Sequence, residues 1–360
     1  MDDLIDSNAE LAEAIFKAGF RMFVSPTLDS EWVASIVDEK YAHDELKIYS
    51  IILDHMKAQT SQTDLEKARS CVNQFFRDWS AEGAAERSKC IDPVLHSLEA
   101  EFALKANDAA LYPDKASMRV LVPGAGLGRL LFELCRAGFT ARGNEISYHM
   151  LMASSLVLNE TYRVGQYTIA PFALSSRNHL KREDQFRTCA IPDVHPEIEL
   201  EKASEGMRVP AFERLSMDAG DFCVVYSSQR YKETFDAVPT VFFIDTAPNI
   251  IRYIQAVHNC LKVGGIWINV GPLHWHWEEK SPETEQGDKL KKHLKNVEDA
   301  GIGDPGSVEL TDEEVIKLVE HFGFSIEKHE PGSIESGYIG NDRGMLQSIY
   351  RSSLWIARKK

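Results

Sequence analysis

Over roughly the first hundred residues, apolar positions recur at helical spacing with few β-branched runs, which predicts a helical region. Its clearest segment is Asp64 to Trp79, where Leu65, Ala68, Val72, Phe75, Phe76 and Trp79 share one face. Gln74 and Arg77 project from the other side, one turn apart, and periodicity alone puts them in solvent. From Met118 the pattern changes to short apolar runs, each followed by glycine and then an amphipathic stretch, the alternation of a parallel α/β sheet. Val120-Leu121-Val122 is the first strand, Gly124 to Gly128 the turn, and Leu130, Leu131, Leu134 and Cys135 suit the helix behind it. A second strand is expected to end near Asn144-Glu145, ahead of a helix through Met150 to Leu158.

Further strands are expected at Phe222 to Tyr226, Val241 to Ile244, Ile266 to Val270 and Leu354 to Ala357. Ile250 to Leu261 reads as a helix stopped by Gly264-Gly265, and Thr311 with Glu314 as a capping box for a helix carrying Val315, Leu318, Val319 and Phe322. The polar segments 175–210 and 278–300 read as insertions over the surface. The expected organisation is a helical region 1–110 followed by an α/β region 111–360.

Composition adds little to this picture. Three hundred and sixty residues suffice for one large domain or two modest ones. Fifty-five acidic against 40 basic side chains give a net charge of -15, which argues against nucleic acid or anionic lipid as the main partner and favours a small molecule or a protein. No uninterrupted apolar stretch of about eighteen residues predicts a membrane span. Cys71, Cys90, Cys135, Cys189, Cys223 and Cys260 are widely spaced, with no zinc-site pattern, so no metal is expected. They read as reduced, buried thiols of a cytoplasmic protein, with the nucleus as a second compartment. The apolar N-terminal helices leave two uses open, a homodimer interface or packing on the core.

The chemistry concentrates at the glycine turn. Gly124-Ala125-Gly126-Leu127-Gly128 after a first strand lets a cofactor approach the backbone, and Glu145 follows at the distance of an acid that binds ribose hydroxyls. Dinucleotide enzymes and S-adenosylmethionine methyltransferases share these features. G-x-G-x-G in place of G-x-G-x-x-G favours the methyltransferase, whose cofactor has no pyrophosphate to cradle. Gly220-Asp221-Phe222 supports it, with an acid for the adenine amino group and a phenyl ring for the base. The usual acid two positions before the first glycine is replaced by Val122-Pro123, so another group must orient the amino-acid end of the cofactor.

From about Gln74 to its C-terminus the chain resembles the carnosine N-methyltransferases. The resemblance rests on Arg77-Asp78-Trp79-Ser80, on Val122 to Arg129 around the glycine turn, and on Gly143-Asn144-Glu145 and Gly220-Asp221-Phe222. It continues in Phe242-Phe243-Ile244-Asp245-Thr246-Ala247, Gly264 to Asn269 and Gly271-Pro272-Leu273. It implies a Rossmann-like class I methyltransferase sheet with an N-terminal helical domain that contributes to the cofactor pocket. It also implies S-adenosylmethionine as cofactor and the imidazole of carnosine, or of a related histidine-containing dipeptide, as acceptor, with anserine as the product from carnosine. Gln74 and Arg77 are then cofactor contacts, an arginine fork suiting a carboxylate. They join Gly124, Gly126, Glu145, Asp221 and Phe222, while Val241 stands where the family has a cysteine. Asp245, His276 and Tyr350 become acceptor residues, Asp245 and His276 with catalytic roles. His274 competes with His276, and Gln347-Ser348-Ile349-Tyr350-Arg351 departs from the family's aromatic run.

Overall fold

The computed structural model describes residues 1–41, 43–275 and 309–360. Its strands are β1 (Arg119–Pro123), β2 (Thr140–Glu145), β3 (Tyr167–Ile169), β4 (Cys189–Ile191), β5 (Leu215–Ala219), β6 (Phe235–Val241), β7 (Leu261–Gly271), β8 (Phe324–Ser336) and β9 (Tyr350–Lys359). Seven of them form one sheet in the order β5-β2-β1-β6-β7-β9-β8. All neighbours from β5 to β7 are parallel, and only β9 runs against the rest. This is the expected Rossmann-like, mostly parallel α/β sheet. Val120, Leu121 and Val122 are buried, as a central parallel strand covered on both faces requires.

Four expected elements differ in form or extent. Phe222–Tyr226 is a short helix, and β5 is the preceding segment. The Asp221 carboxylate accepts the Val224 N–H at 3.0 Å, and this N-cap outweighs the β propensity of Val224-Val225. Phe222, Cys223 and Tyr226 turn inward while Val224 stays 46% exposed. The central strand ends at Val241, because Phe242 takes φ +50 and Ile244–Thr246 is a single helical turn. Asp245 therefore stands just beyond the strand. The helix Ile250–Cys260 stops before Leu261, so Gly264-Gly265 lie within β7. The capping box of Thr311 and Glu314 opens the helix Asp312–His321, shorter by one residue than a helix carrying Phe322.

The chain forms two compact units, which interleave where a single boundary near residue 110 was expected. The first comprises 1–83, 148–196 and 341–346. In it the helices Asp2–Gly19 and Tyr148–Asn159 pack together, and Asn8 bonds both the N–H and the carbonyl of Ala170. Part of the expected surface insertion is built in: β4 pairs antiparallel with β3 and buries Cys189 and Ile191. The second unit comprises 84–147, 197–340 and 347–360 and carries the seven-stranded sheet. Leu121, Val238, Trp267 and Trp355 fill its core with the helices Ile250–Cys260 and Asp312–His321. The segment 278–300, expected as a second insertion, lies outside the described residues.

Candidate active site

The glycine turn follows β1, and Gly124, Gly126 and Gly128 all have positive φ. At Gly124 (φ +63) a Cβ would stand 2.6 Å from the Phe243 ring, so only glycine fits. At Gly126 (φ +53) a Cβ would meet nothing within 4 Å: the turn faces open space. The Gly126 N–H donates to Glu145 Oε2 at 2.9 Å, while Oε1 accepts from Ile146 N and Ser147 N at 2.9 and 2.8 Å. Three backbone donors thus hold the acid in place at the C-terminal end of β2; Oε1 is filled by two of them, and Oε2, with one, keeps acceptor capacity. Gly220 is clipped to the same place, its N–H donating to the Glu145 carbonyl at 3.0 Å and its carbonyl accepting from Asn144 Nδ2 at 3.0 Å. The glycine turn, Glu145 and Asp221 are therefore gathered at the ends of β1, β2 and β5, where open α/β sheets bind ligands.

Burial lifts the Asp221 carboxyl above the usual aspartate range, although backbone N–H groups of Val224 and Cys223 oppose this. Phe222 packs edge-to-face on Phe243, ring centroids 5.5 Å apart, and Phe243 stacks on Tyr253 at 4.8 Å. Val241 closes β6 opposite Val270 of β7.

On the far side of β6, Asp245 is 3% exposed and its Oδ2 accepts the His274 N–H at 3.0 Å. The His274 ring meets Tyr350 edge-on at 6.4 Å, Tyr350 meets Phe242 edge-on at 5.8 Å, and Phe242 lies against Tyr338 at 4.9 Å. Asp245 and Tyr350, expected on the acceptor side, are joined by this chain of contacts. Its other aromatic members, Phe242 and Tyr338, were not among the expected site residues. Phe242 is turned into it by its left-handed backbone, held by a Phe242 N–H to Val270 carbonyl bond of 3.0 Å. The tandem Phe242-Phe243 before an acid and the glycine-flanked Tyr338 are the sequence signals that could have pointed there. His276 lies outside the described residues.

Residues 54–360 match the family described as carnosine N-methyltransferase. The chain belongs to that family. It is 33% identical over 358 residues to the carnosine N-methyltransferase of Schizosaccharomyces pombe, covering 99% of this chain and 81% of that one. It is 36% identical over 299 residues to that of Rattus norvegicus (83% and 64%) and 35% identical over 312 residues to that of Drosophila melanogaster (85% and 59%). The chain thus spans less than two thirds of the rat and fly proteins.

The family name is that of a methyltransferase, and S-adenosylmethionine is the cofactor the glycine turn predicts. The turn fits that group: the space over Gly126 is one a single Cβ would enter, and Glu145 is fixed beneath it with acceptor capacity for ribose hydroxyls. Among the described residues no cluster of acids, histidines or cysteines could hold a metal ion.

In this carnosine N-methyltransferase relative, Gln74 and Arg77 lie in the first compact unit, on the helix Gln62–Trp79. Both are 8% exposed, where helical periodicity put them in solvent. From Cys71 onward the helix is covered on more than one side, since the helix Tyr148–Asn159 and β4 pack on it, whereas Leu65 on its first turns is 55% exposed. Gln74 Nε2 donates to Asp78 Oδ2 at 2.7 Å and Arg77 Nη1 to Asp78 Oδ1 at 2.9 Å, so one buried carboxylate orients both side chains.

Proposed function

We propose that this protein transfers a methyl group from S-adenosylmethionine to an imidazole nitrogen of carnosine, giving anserine. The observation that carries the reading is the buried Asp245 carboxylate at the end of the central strand, linked through His274 to the aromatic side chains of Tyr350, Phe242 and Tyr338. An imidazole is a flat ring with one N–H and one lone pair, and aromatic faces with a nearby carboxylate are the groups that hold such a ring.

When bound, S-adenosylmethionine supplies a methyl carbon already activated by its sulfonium. Gly124, Gly126, Glu145, Asp221, Phe222 and Val241 would hold the cofactor, with Gln74 and Arg77 at its amino-acid end. Asp245 accepts the imidazole N–H, which selects the tautomer whose other nitrogen carries the attacking lone pair. The same carboxylate stabilises the positive charge that grows on the ring and takes the N–H proton once the new N–C bond has formed. His276 shares this role in the family pattern, and Tyr350 closes the acceptor side.

Purified enzyme given labelled cofactor with carnosine, free histidine, other histidine dipeptides and a protein extract tests the reading. Label appearing in carnosine, with anserine identified by its spectrum, is the expected result; label only in protein, or in none of these, overturns it. Arg77→Ala should weaken cofactor binding at least about tenfold by calorimetry, the scale of a lost charge-assisted hydrogen bond. Unchanged affinity in a folded variant removes Arg77 from the cofactor site.

A further inference from the structure

The polypeptide after β8 makes a tight bend through Gly337, Tyr338, Ile339 and Gly340. Ile339 sits at φ +58, a left-handed conformation that β-branched residues avoid. Such a backbone persists only where its surroundings hold it. The holding group is Glu86, in the first turn of the helix Ala84–Lys105: its Oε1 accepts the Ile339 N–H at 2.7 Å and its Oε2 the Gly340 N–H at 3.3 Å. The carboxylate lies so close to the bend that a Cβ at Gly337 would stand 2.8 Å from Glu86 Oε2. The same helix ties the start of the bend, through a contact of 3.7 Å between Cys90 Sγ and Ser336 Oγ, both buried.

Tyr338 lies between these anchors, and its ring rests on Phe242. We propose that Glu86 is a positioning residue for the acceptor side, fixing the bend that presents Tyr338 to Phe242. This rests on the reading of carnosine as acceptor. Glu86 touches neither reacting atoms nor cofactor in this scheme; it acts through the backbone on either side of one aromatic ring. A glutamate in a first helical turn can also serve only the helix dipole, and the test separates the two roles.

Glu86→Ala in the full chain should raise KM for carnosine at least about fivefold with kcat within about twofold, as loss of uniform acceptor binding requires. Cofactor affinity should stay within about twofold, and the Ile339 and Gly340 amides should exchange at least about tenfold faster. Glu86→Gln keeps a neutral oxygen acceptor and should recover part of the KM. If Glu86 serves the helix end alone, the melting temperature falls while KM and exchange at 339 and 340 stay as in wild type, and the proposal is overturned. Should Glu86→Ala fail to fold, Gly337→Ala presses on the same carboxylate from the other side and is expected to raise KM likewise; an unchanged KM there overturns it. If wild-type enzyme leaves carnosine unmethylated, the functional reading falls, and amide exchange decides for Glu86: rates at 339 and 340 unaffected by the substitution reject the contact.

Discussion

Asp245→Asn is expected to lower kcat/KM for carnosine by about 100-fold, the size of effect that removing a positioned proton acceptor produces. The substitution keeps the shape and one carbonyl oxygen, so the His274 N–H that bonds Oδ2 still has a partner. What it removes is the negative charge that, in the proposed reaction, faces the cation developing on the imidazole ring. In a site where the group is 3% exposed, that charge is weakly screened, which is why the loss is large. Cofactor affinity by calorimetry should change by less than about twofold, because the glycine turn and Glu145 form a separate set of contacts. Turnover of the variant close to wild type would show that the carboxylate does not face the reacting ring.

Gly126→Ala is expected to weaken S-adenosylmethionine binding at least about 100-fold, or about 2.7 kcal/mol, while the protein still folds. The added methyl meets no protein atom, so the cost to the fold is only that of a left-handed alanine, about 1–2 kcal/mol. The methyl enters the space the cofactor would occupy. Gly124→Ala is the contrasting variant, since its Cβ would collide with Phe243, which packs on Phe222 and Tyr253. Its effect should appear first in the melting temperature and only then in cofactor affinity. Thermal melts beside calorimetry for both variants check the pair; a Gly126→Ala enzyme that binds cofactor normally would mean that the open space over the turn is not where it lies.

That the glycine turn and Glu145 come together was readable before folding because the signals are local. A strand, three glycines and an acid that ends the next strand form one βαβ unit, and their spacing puts turn and acid at adjacent strand ends. Asp221 keeps its place at a strand end even though the expected strand at Phe222–Tyr226 is a helix: an aspartate that caps a helix still follows the strand before it. Asp245 was legible for the same reason, standing one short turn beyond β6.

The burial of Gln74 and Arg77 was not legible, since the helical wheel counts faces and cannot count neighbours. What covers that helix comes from β4 and a helix that begins at Tyr148. The acceptor side shows the same division. Spacing and residue type supplied Asp245, the glycine turn and the parallel sheet. Which aromatic rings come together with Asp245, and that Glu86 holds a bend 253 residues away, followed only from the sheet order and the paths of β8 and β9. Periodicity reports which way a side chain leaves its own strand or helix; a stacking contact also depends on which distant element stands opposite, and packing of the whole chain decides that.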